Sequence, residues 1–381
     1  MKSFLQFLKR AYKYFRATKR VWRKPPQADL LIIDRGTASP LDEMFAHHNP
    51  HVLDIRGESV NMLALLRAVP KIHLGAVAYL EAYIDFVKPK LILSRTDNNH
   101  TLWQLKRRKN LSYQVALIQN GWRLEYADSV PHASIKKKYQ VDGFLTFGDA
   151  TTRILRSRLE GEFIGAGSIK ANFFQKIEKY KNDAPVVFVS TFRASKHENY
   201  LQGTVFFEHL ENICEKYKKK VLIVGCERSD SGSQTEKHFY SGLFSSNNWD
   251  IVSRVSETSS YEFIRSASCV IVESSSLGYE SLAMGLRTGF VAIRDRNRVT
   301  DRFGLPLEFG EKGPFWTNDP SEEEIGRILD YLLTVSDEQW ERDSGWIRDQ
   351  LMAHDYGNTK IRAYVESVLA DSLENAKVTN I

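Results

Sequence analysis

The chain has 381 residues, 42% of them apolar and 12% aromatic, enough to bury large cores and most simply divided into two domains. Its net charge of +6 is local: residues 1 to 24 hold nine Lys or Arg and no acid, and the remainder carries 44 basic against 47 acidic residues, so no basic track for nucleic acid runs along it. Three scattered cysteines, Cys214, Cys226 and Cys269, exclude a disulfide framework and a zinc knuckle and fit a reducing cytosol, and neither a signal peptide nor a run near the roughly 20 apolar residues that span a bilayer is evident.

The first expected element is a basic amphipathic helix over residues 1–26. Phe4, Leu8, Ala11, Tyr12, Phe15 and Trp22 recur at helical spacing, cations from Lys2 to Lys24 take most of the other face, and Pro25-Pro26 stops the helix. A helix of this kind can lie in an anionic membrane surface, each cation near the bilayer contributing about 1 kcal/mol, or it can pack on its own domain. Membrane contact is the expectation, with the protein cytoplasmic and peripheral at the inner face of the cytoplasmic membrane. Lys136-Lys-Lys138 would add to that charge if it lies on the same side.

Past the prolines, strands and helices alternate. Asp29–Asp34, Pro50–Ile55, Lys90–Ser94, Tyr113–Gln119 and Gly143–Gly148 contain short apolar runs separated by helical stretches, the pattern of a parallel doubly wound sheet over residues 27–170. After a polar stretch from Ile169 to Ala184, read as a linker, a second series follows in residues 171–340: Val186–Ser190, Lys220–Gly225, Trp249–Val252, Val270–Val272 and Phe290–Ile293. Residues 341–381 read as helices packing back on the first domain. The fold class is therefore α/β, two Rossmann-like doubly wound domains facing across a cleft, with ligands expected at the carboxyl ends of both sheets.

Those strand ends are polar. The first half supplies Arg56-Gly57-Glu58, Arg95 to His100 and Gln119 to Arg123; the second supplies Ser190 to Arg193, Gly225 to Arg228 and Glu273 to Glu280. The last is the most informative. Val270-Ile-Val runs into Glu273-Ser274-Ser275-Ser276, small hydroxyls where a helix begins at Leu277, so free backbone N–H groups and the positive end of the helix would meet a phosphate there. The same serines also serve as N-caps in any α/β protein.

Arg56-Gly-Glu-Ser-Val-Asn61, Thr96-Asp-Asn-Asn99, Ile118 to Arg123, Gly165 to Asn172 and Glu273 to Glu280 together resemble the GT-B glycosyltransferases, and more closely the bacterial surface-carbohydrate biosynthesis transferases of that fold (capsule, O-antigen and lipopolysaccharide). The resemblance implies transfer of a sugar from a nucleotide-activated donor held mainly by the C-terminal half to a glycan or lipid-linked acceptor held by the N-terminal half. Ser274, Ser275 and Ser276 would stabilise the leaving phosphate without a metal, with Arg193 as a second clamp and Ser190, Thr191, Glu273 and Gly278 completing the donor site. Glu280, one turn into the helix, is placed for ribose hydroxyls. Asp97 is the first choice of base for the acceptor hydroxyl, with Glu58 and His100 in reserve, and Asn120, Gly121 and Arg123 would meet the acceptor. No cofactor and no metal are expected; the donor nucleotide, CMP or UDP/GDP, stays open. So do three other readings: a nucleotide-sugar 2-epimerase, although the Gly-Gly and paired Glu usual at that turn are missing; a CDP-polyol phosphotransferase; and a non-catalytic glycan-assembly subunit.

Overall fold

A computed structural model describes residues 18–56, 58–105, 112–122, 139–177, 183–192, 204–227, 229–273, 275–291, 305, 307–319 and 321–378. The N-terminal half contains β1 (Lys19–Val21), β2 (Leu30–Ile33), α1 (Leu41–Met44), β3 (His51–Leu53), β4 (Ser59–Asn61), α2 (Met62–Ala68), α3 (Ala76–Val87), β5 (Leu91–Ser94), α4 (His100–Leu105), β6 (Gln114–Ile118), β7 (Tyr139–Thr146), α5 (Asp149–Arg156) and β8 (Leu159–Gly165). Its main sheet has the order β3-β2-β5-β6-β7-β8, with every pair parallel. Leu30 to Ile33 and Leu91 to Leu93 are fully buried because both faces of the sheet are covered, which is why these strands read as unbroken apolar runs.

The C-terminal half contains β9 (Val186–Val189), α6 (Thr204–Lys216), β10 (Val221–Val224), α7 (Asp230–Ser241), β11 (Trp249–Val252), α8 (Ser259–Arg265), β12 (Cys269–Val272), α9 (Ser276–Ala283), β13 (Thr288–Val291), β14 (Lys312–Gly313), β15 (Trp316–Thr317), α10 (Glu322–Thr334), α11 (Asp337–Leu351) and α12 (Thr359–Val378). The order β11-β10-β9-β12-β13-β15-β14 is parallel throughout except for the last pair.

The chain crosses between the domains twice. It leaves β8 through Gly165 to Phe174 and returns through Met352 to Asn358, after which α12 lays Ile361, Tyr364, Val365, Val368 and Leu369 on the N-terminal sheet and completes its second face. The return falls after Leu351 and not at residue 340, because Trp340, Ile347 and Leu351 pack into the C-terminal core. The two crossings are tied together. Asn172 is fully buried, donates to the Ala166 carbonyl at 2.8 Å and to Asn358 Oδ1 at 3.0 Å, and accepts from the Asp355 amide at 3.0 Å. Residues 169 to 172, expected to begin a polar linker, are thereby part of the buried hinge.

The described part of the expected N-terminal helix is not helical. Lys19–Val21 pairs in parallel with Ser59–Asn61, and Asn61 Nδ2 donates to the Arg23 carbonyl at 2.8 Å. Those ladder bonds replace helical ones over Lys19–Val21, and Trp22, on the apolar face expected for membrane contact, is 60% exposed. Residues 1–17 lie outside the described residues.

Candidate functional site

Each sheet reverses the direction in which strands are added at one point, between β2 and β5 in the first and between β9 and β12 in the second. The crevice above such a reversal is where open α/β sheets hold ligands, since connections diverge to opposite faces and leave the strand ends uncovered. The two reversals contribute to opposite walls of one cleft. From the first come Arg95, at the end of β5, and Gln119 and Asn120, at the end of β6; from the second come Ser275 and Ser276, at the end of β12; the crossing segment adds Ser168 and Lys170. The cleft is a solvent-open cavity of about 280 Å³, just under the roughly 300–1,000 Å³ of small-molecule sites.

The C-terminal wall is the start of α9. Ser275 is extended, caps the helix by accepting from the Leu277 amide at 3.3 Å, and leaves the first turn pointing into the cleft. Ser276 Oγ accepts the Trp122 amide proton at 2.8 Å, and the Trp122 ring stacks on Tyr279 with centroids 4.0 Å apart. Trp122 is therefore engaged in joining the domains. Gly278 faces inward: a Cβ there would lie 2.4 Å from Val272 Cγ2, so this glycine lets the helix sit against β12.

Across the cleft stands Arg95, only 4% exposed. Nη1 donates to the Ser39 carbonyl and Nη2 to Asn120 Oδ1 at 2.8 Å, while Nε is buried with no hydrogen-bond acceptor. A guanidinium has five N–H donors in a fixed fork, so donors remain unsatisfied after these contacts. Burial lowers its pKa, opposed by the charge of Glu257, Tyr261, Glu280 and Asp97. Arg254 adds a second guanidinium to the lining, its Nε also without an acceptor, and Lys170 a third cation, paired with Glu257 at 2.5 Å. Three cations and a helix N-terminus face one open space, with the carboxyls of Glu257 and Glu280 also in its lining, an arrangement able to hold an anion.

Glu280 lies beneath it, 7% exposed, with Oε1 accepting from Ser168 Oγ at 2.5 Å and Oε2 from Tyr261 at 2.9 Å. Burial raises its pKa, against the hydroxyl hydrogen bonds and the charges of Lys170 and Arg95. A carboxyl whose folded pKa is raised adds stability at low pH that is lost as pH climbs through the folded value. Glu280→Gln is therefore expected to gain stability relative to the natural protein as pH rises from about 4.5; melting curves of both proteins across that range check this, and a constant difference would contradict it.

The other sequence candidates sit as follows. Asp97 is 3% exposed and does not line the cleft; Glu58 is exposed, accepts from the Arg56 amide at 2.9 Å and lies at the start of β4, also away from it. His100 begins α4, and its side chain, with Gly57, Arg123, Arg193 and Ser274, lies outside the described residues. Ser190 is buried and engaged with Glu236 and Tyr240, and Thr191 donates to Glu273 at 3.2 Å, a network that pins the β9 and β12 ends together. Gln119 braces the loop after β6, donating to the Gly121 carbonyl at 3.0 Å and accepting from the Phe147 amide at 2.7 Å. Arg95, among the polar strand ends, and Lys170, within Gly165 to Asn172, carry no assigned role on sequence, and Arg254 and Tyr261 have no sequence signal at all.

Two comparisons bear on this geometry. A protein-family model described as "putative O-antigen biosynthesis protein" matches residues 116–369, more than half of the chain. Among solved structures, the UDP-GlcNAc 2-epimerase of Methanocaldococcus jannaschii aligns with a TM-score of 0.54 at 14% identity, covering 89% of this chain and 99% of that one. The UDP-GlcNAc 2-epimerase of Neisseria meningitidis, bound to UDP-GlcNAc, aligns at 0.52 and 12%, covering 90% and 99%. The wall teichoic acid polymerase TagF aligns at 0.53 and 10%, covering 93% and 91%. A search of curated protein sequences returned no match. The structural likenesses establish the two-domain GT-B-like fold, and the family match establishes the kinship: this chain belongs to the O-antigen biosynthesis protein family, with a role in glycan biosynthesis.

Proposed function

We propose that the protein is a glycosyltransferase that moves a sugar from a nucleotide-activated donor to a surface glycan or lipid-linked acceptor. The observation that supports this most is the placement of an anion site between the two sheet reversals, helix N-terminus on one wall and Arg95 on the other. Departure of the nucleotide leaves negative charge on phosphate. The amides at the start of α9, the Ser275 and Ser276 hydroxyls and the cations Arg95, Arg254 and Lys170 meet that charge in a partly buried setting, where it is stabilised more than in water. The acceptor hydroxyl enters from the N-terminal side. Glu257, a half-exposed carboxylate on the cleft wall, is positioned better than the covered Asp97 to take its proton.

The test is a panel of nucleotide sugars and free nucleotides in thermal shift, followed by incubation of the best binder with and without acceptor glycolipid. One nucleotide class is expected to raise the melting temperature, by the equivalent of about 2.7 kcal/mol at a hundredfold excess over its Kd, and its sugar to appear on the acceptor. A second reading, a nucleotide-sugar 2-epimerase, draws support from the two epimerases among the structural neighbours; it predicts an epimerised free nucleotide sugar with no acceptor present. A polyol-phosphate transferase would prefer a CDP-alcohol in the same panel.

The proposal includes an anionic membrane surface as partner. No described helix is long and apolar enough to cross a membrane. A basic and apolar face nevertheless surrounds the described end of the N-terminal segment: Trp22, Leu66 and Val69 are each more than half exposed, and Lys24 and Arg67 share the Phe86 ring. The full chain is expected to sediment with vesicles containing phosphatidylglycerol and not with phosphatidylcholine alone, and Trp22→Ala combined with Leu66→Ala to weaken this several-fold. Equal binding to both vesicle types would contradict the electrostatic part of the account.

A further inference from the structure

Away from the cleft, three ligand-type side chains converge at the amino end of the N-terminal sheet. His47 and His48 end a single 3-10 turn, Ala46–His48, just before β3, and Glu366 stands on α12, more than three hundred residues later. Glu366 Oε1 lies 3.0 Å from His47 Nε2 and 3.0 Å from His48 Nε2, and Oε2 is also 3.0 Å from His48 Nε2. The three ligand atoms all fall within 4.8 Å of one another. Consecutive residues of a 3-10 turn point about 120° apart, yet both imidazoles are turned to one carboxylate, with ring centroids 4.2 Å apart. The backbone on each side is held: Asn49 adopts a left-handed conformation that ends the turn, and Arg362, one helical turn before Glu366, donates to the Met44 carbonyl at 3.1 Å.

We infer that His47, His48 and Glu366 form a binding site for a borderline divalent cation of the zinc type, which fastens the returning C-terminal helix to the first domain. Two imidazoles and a carboxylate are the donor set that such ions prefer over hard cations. Zinc bonds of about 2.0–2.2 Å in tetrahedral array separate ligand atoms by roughly 3.4 Å, so the observed 3.0 Å needs only a small opening. The fourth position faces solvent, since Glu366 and His47 are about half exposed. The site supplies no step of sugar transfer. It acts on α12, the element that closes the second face of the N-terminal sheet, and the inference does not depend on the transferase reading.

The experiment uses the untagged full chain freed of metal by a chelator and titrated with Zn²⁺ against a chromogenic competitor, with melting temperature followed in parallel. One equivalent is expected to bind with a micromolar or tighter Kd and to raise the melting temperature. His48→Ala and Glu366→Gln are each expected to weaken binding at least tenfold and to abolish the rise. Glu366 is about half exposed and His48 about a quarter exposed, and unchanged circular dichroism and metal-free melting temperature of the variants show that they fold. Absence of saturable uptake by the natural chain would overturn the site and leave an ordinary hydrogen-bonded trio. Uptake unchanged in both variants would overturn it as well and place the ion elsewhere, for example at Cys226.

Discussion

Replacing Arg95 with Gln is expected to lower affinity for the donor nucleotide roughly 10- to 150-fold, as the loss of a charge-assisted contact of about 1.5–3 kcal/mol dictates. The natural guanidinium is 4% exposed, lines the cleft, is held by the Ser39 carbonyl and by Asn120, and keeps a buried Nε without an acceptor. A buried cation with unsatisfied donors is unfavourable in the empty protein and favourable once an anion arrives, so most of its effect is spent on binding. The variant removes a buried charge without emptying the space, and its melting temperature without nucleotide is expected to change less than its affinity. Arg95→Lys keeps the charge but not the fork and should recover only part of the loss. Isothermal titration with the nucleotide chosen by the panel measures this; unchanged affinity in the Gln variant would move the phosphate away from the N-terminal wall.

The largest expected loss of stability comes from the hinge. Gly167 has φ of +73°, and a Cβ built on it would lie 2.1 Å from the Ala353 carbonyl oxygen, a backbone atom of the returning segment. Gly167→Ala therefore combines a disfavoured backbone conformation with a clash that no side-chain rotation relieves. Together these cost on the order of 3 kcal/mol or more, a fall in melting temperature of roughly 6–12 °C for domains of this size. Because the Ala353 amide donates to the Phe147 carbonyl at 2.7 Å and Asn172 clasps both crossings, the strain falls on the contact that sets the two domains against each other. Calorimetry is expected to show the destabilisation together with weakened nucleotide binding, since the walls of the cleft come from different domains. A variant with the natural melting temperature would mean that the hinge yields to the added methyl group.

What could be read from the residues alone follows burial. The strands around Leu30–Ile33, Leu91–Ser94, Val186–Val189 and Cys269–Val272 have helices on both faces, and a doubly covered strand is apolar at every position, so they stood out. Strand β8 did not. It lies at the sheet edge with Glu160, Gly161 and Glu162 exposed, and its composition resembles a loop. Lys19–Val21 was drawn into a helix because cations and aromatics in the first 24 residues have helical spacing, and nothing local announces a strand partner forty residues away. In the site, Ser275 and Ser276 are legible because small hydroxyls after an apolar strand mark a helix start, whereas Glu280, expected to meet ribose hydroxyls, has both oxygens taken by Ser168 and Tyr261. Arg95, Arg254 and Lys170 are not legible, since a cation after a strand reads the same whether it ends in solvent or in a cleft. Ser190 and Gly278 were assigned to the donor on position alone; the fold turns the first toward Glu236 and the second toward Val272.

The central claim is that the space between the start of α9 and Arg95 holds the phosphates of an activated sugar. A crystal structure of the protein with its preferred nucleotide tests this most directly. The account predicts phosphate oxygens within hydrogen-bond distance of the Ser275 and Ser276 amides or hydroxyls and of the Arg95 guanidinium; a nucleotide bound elsewhere, with that space filled by side chains, would contradict it.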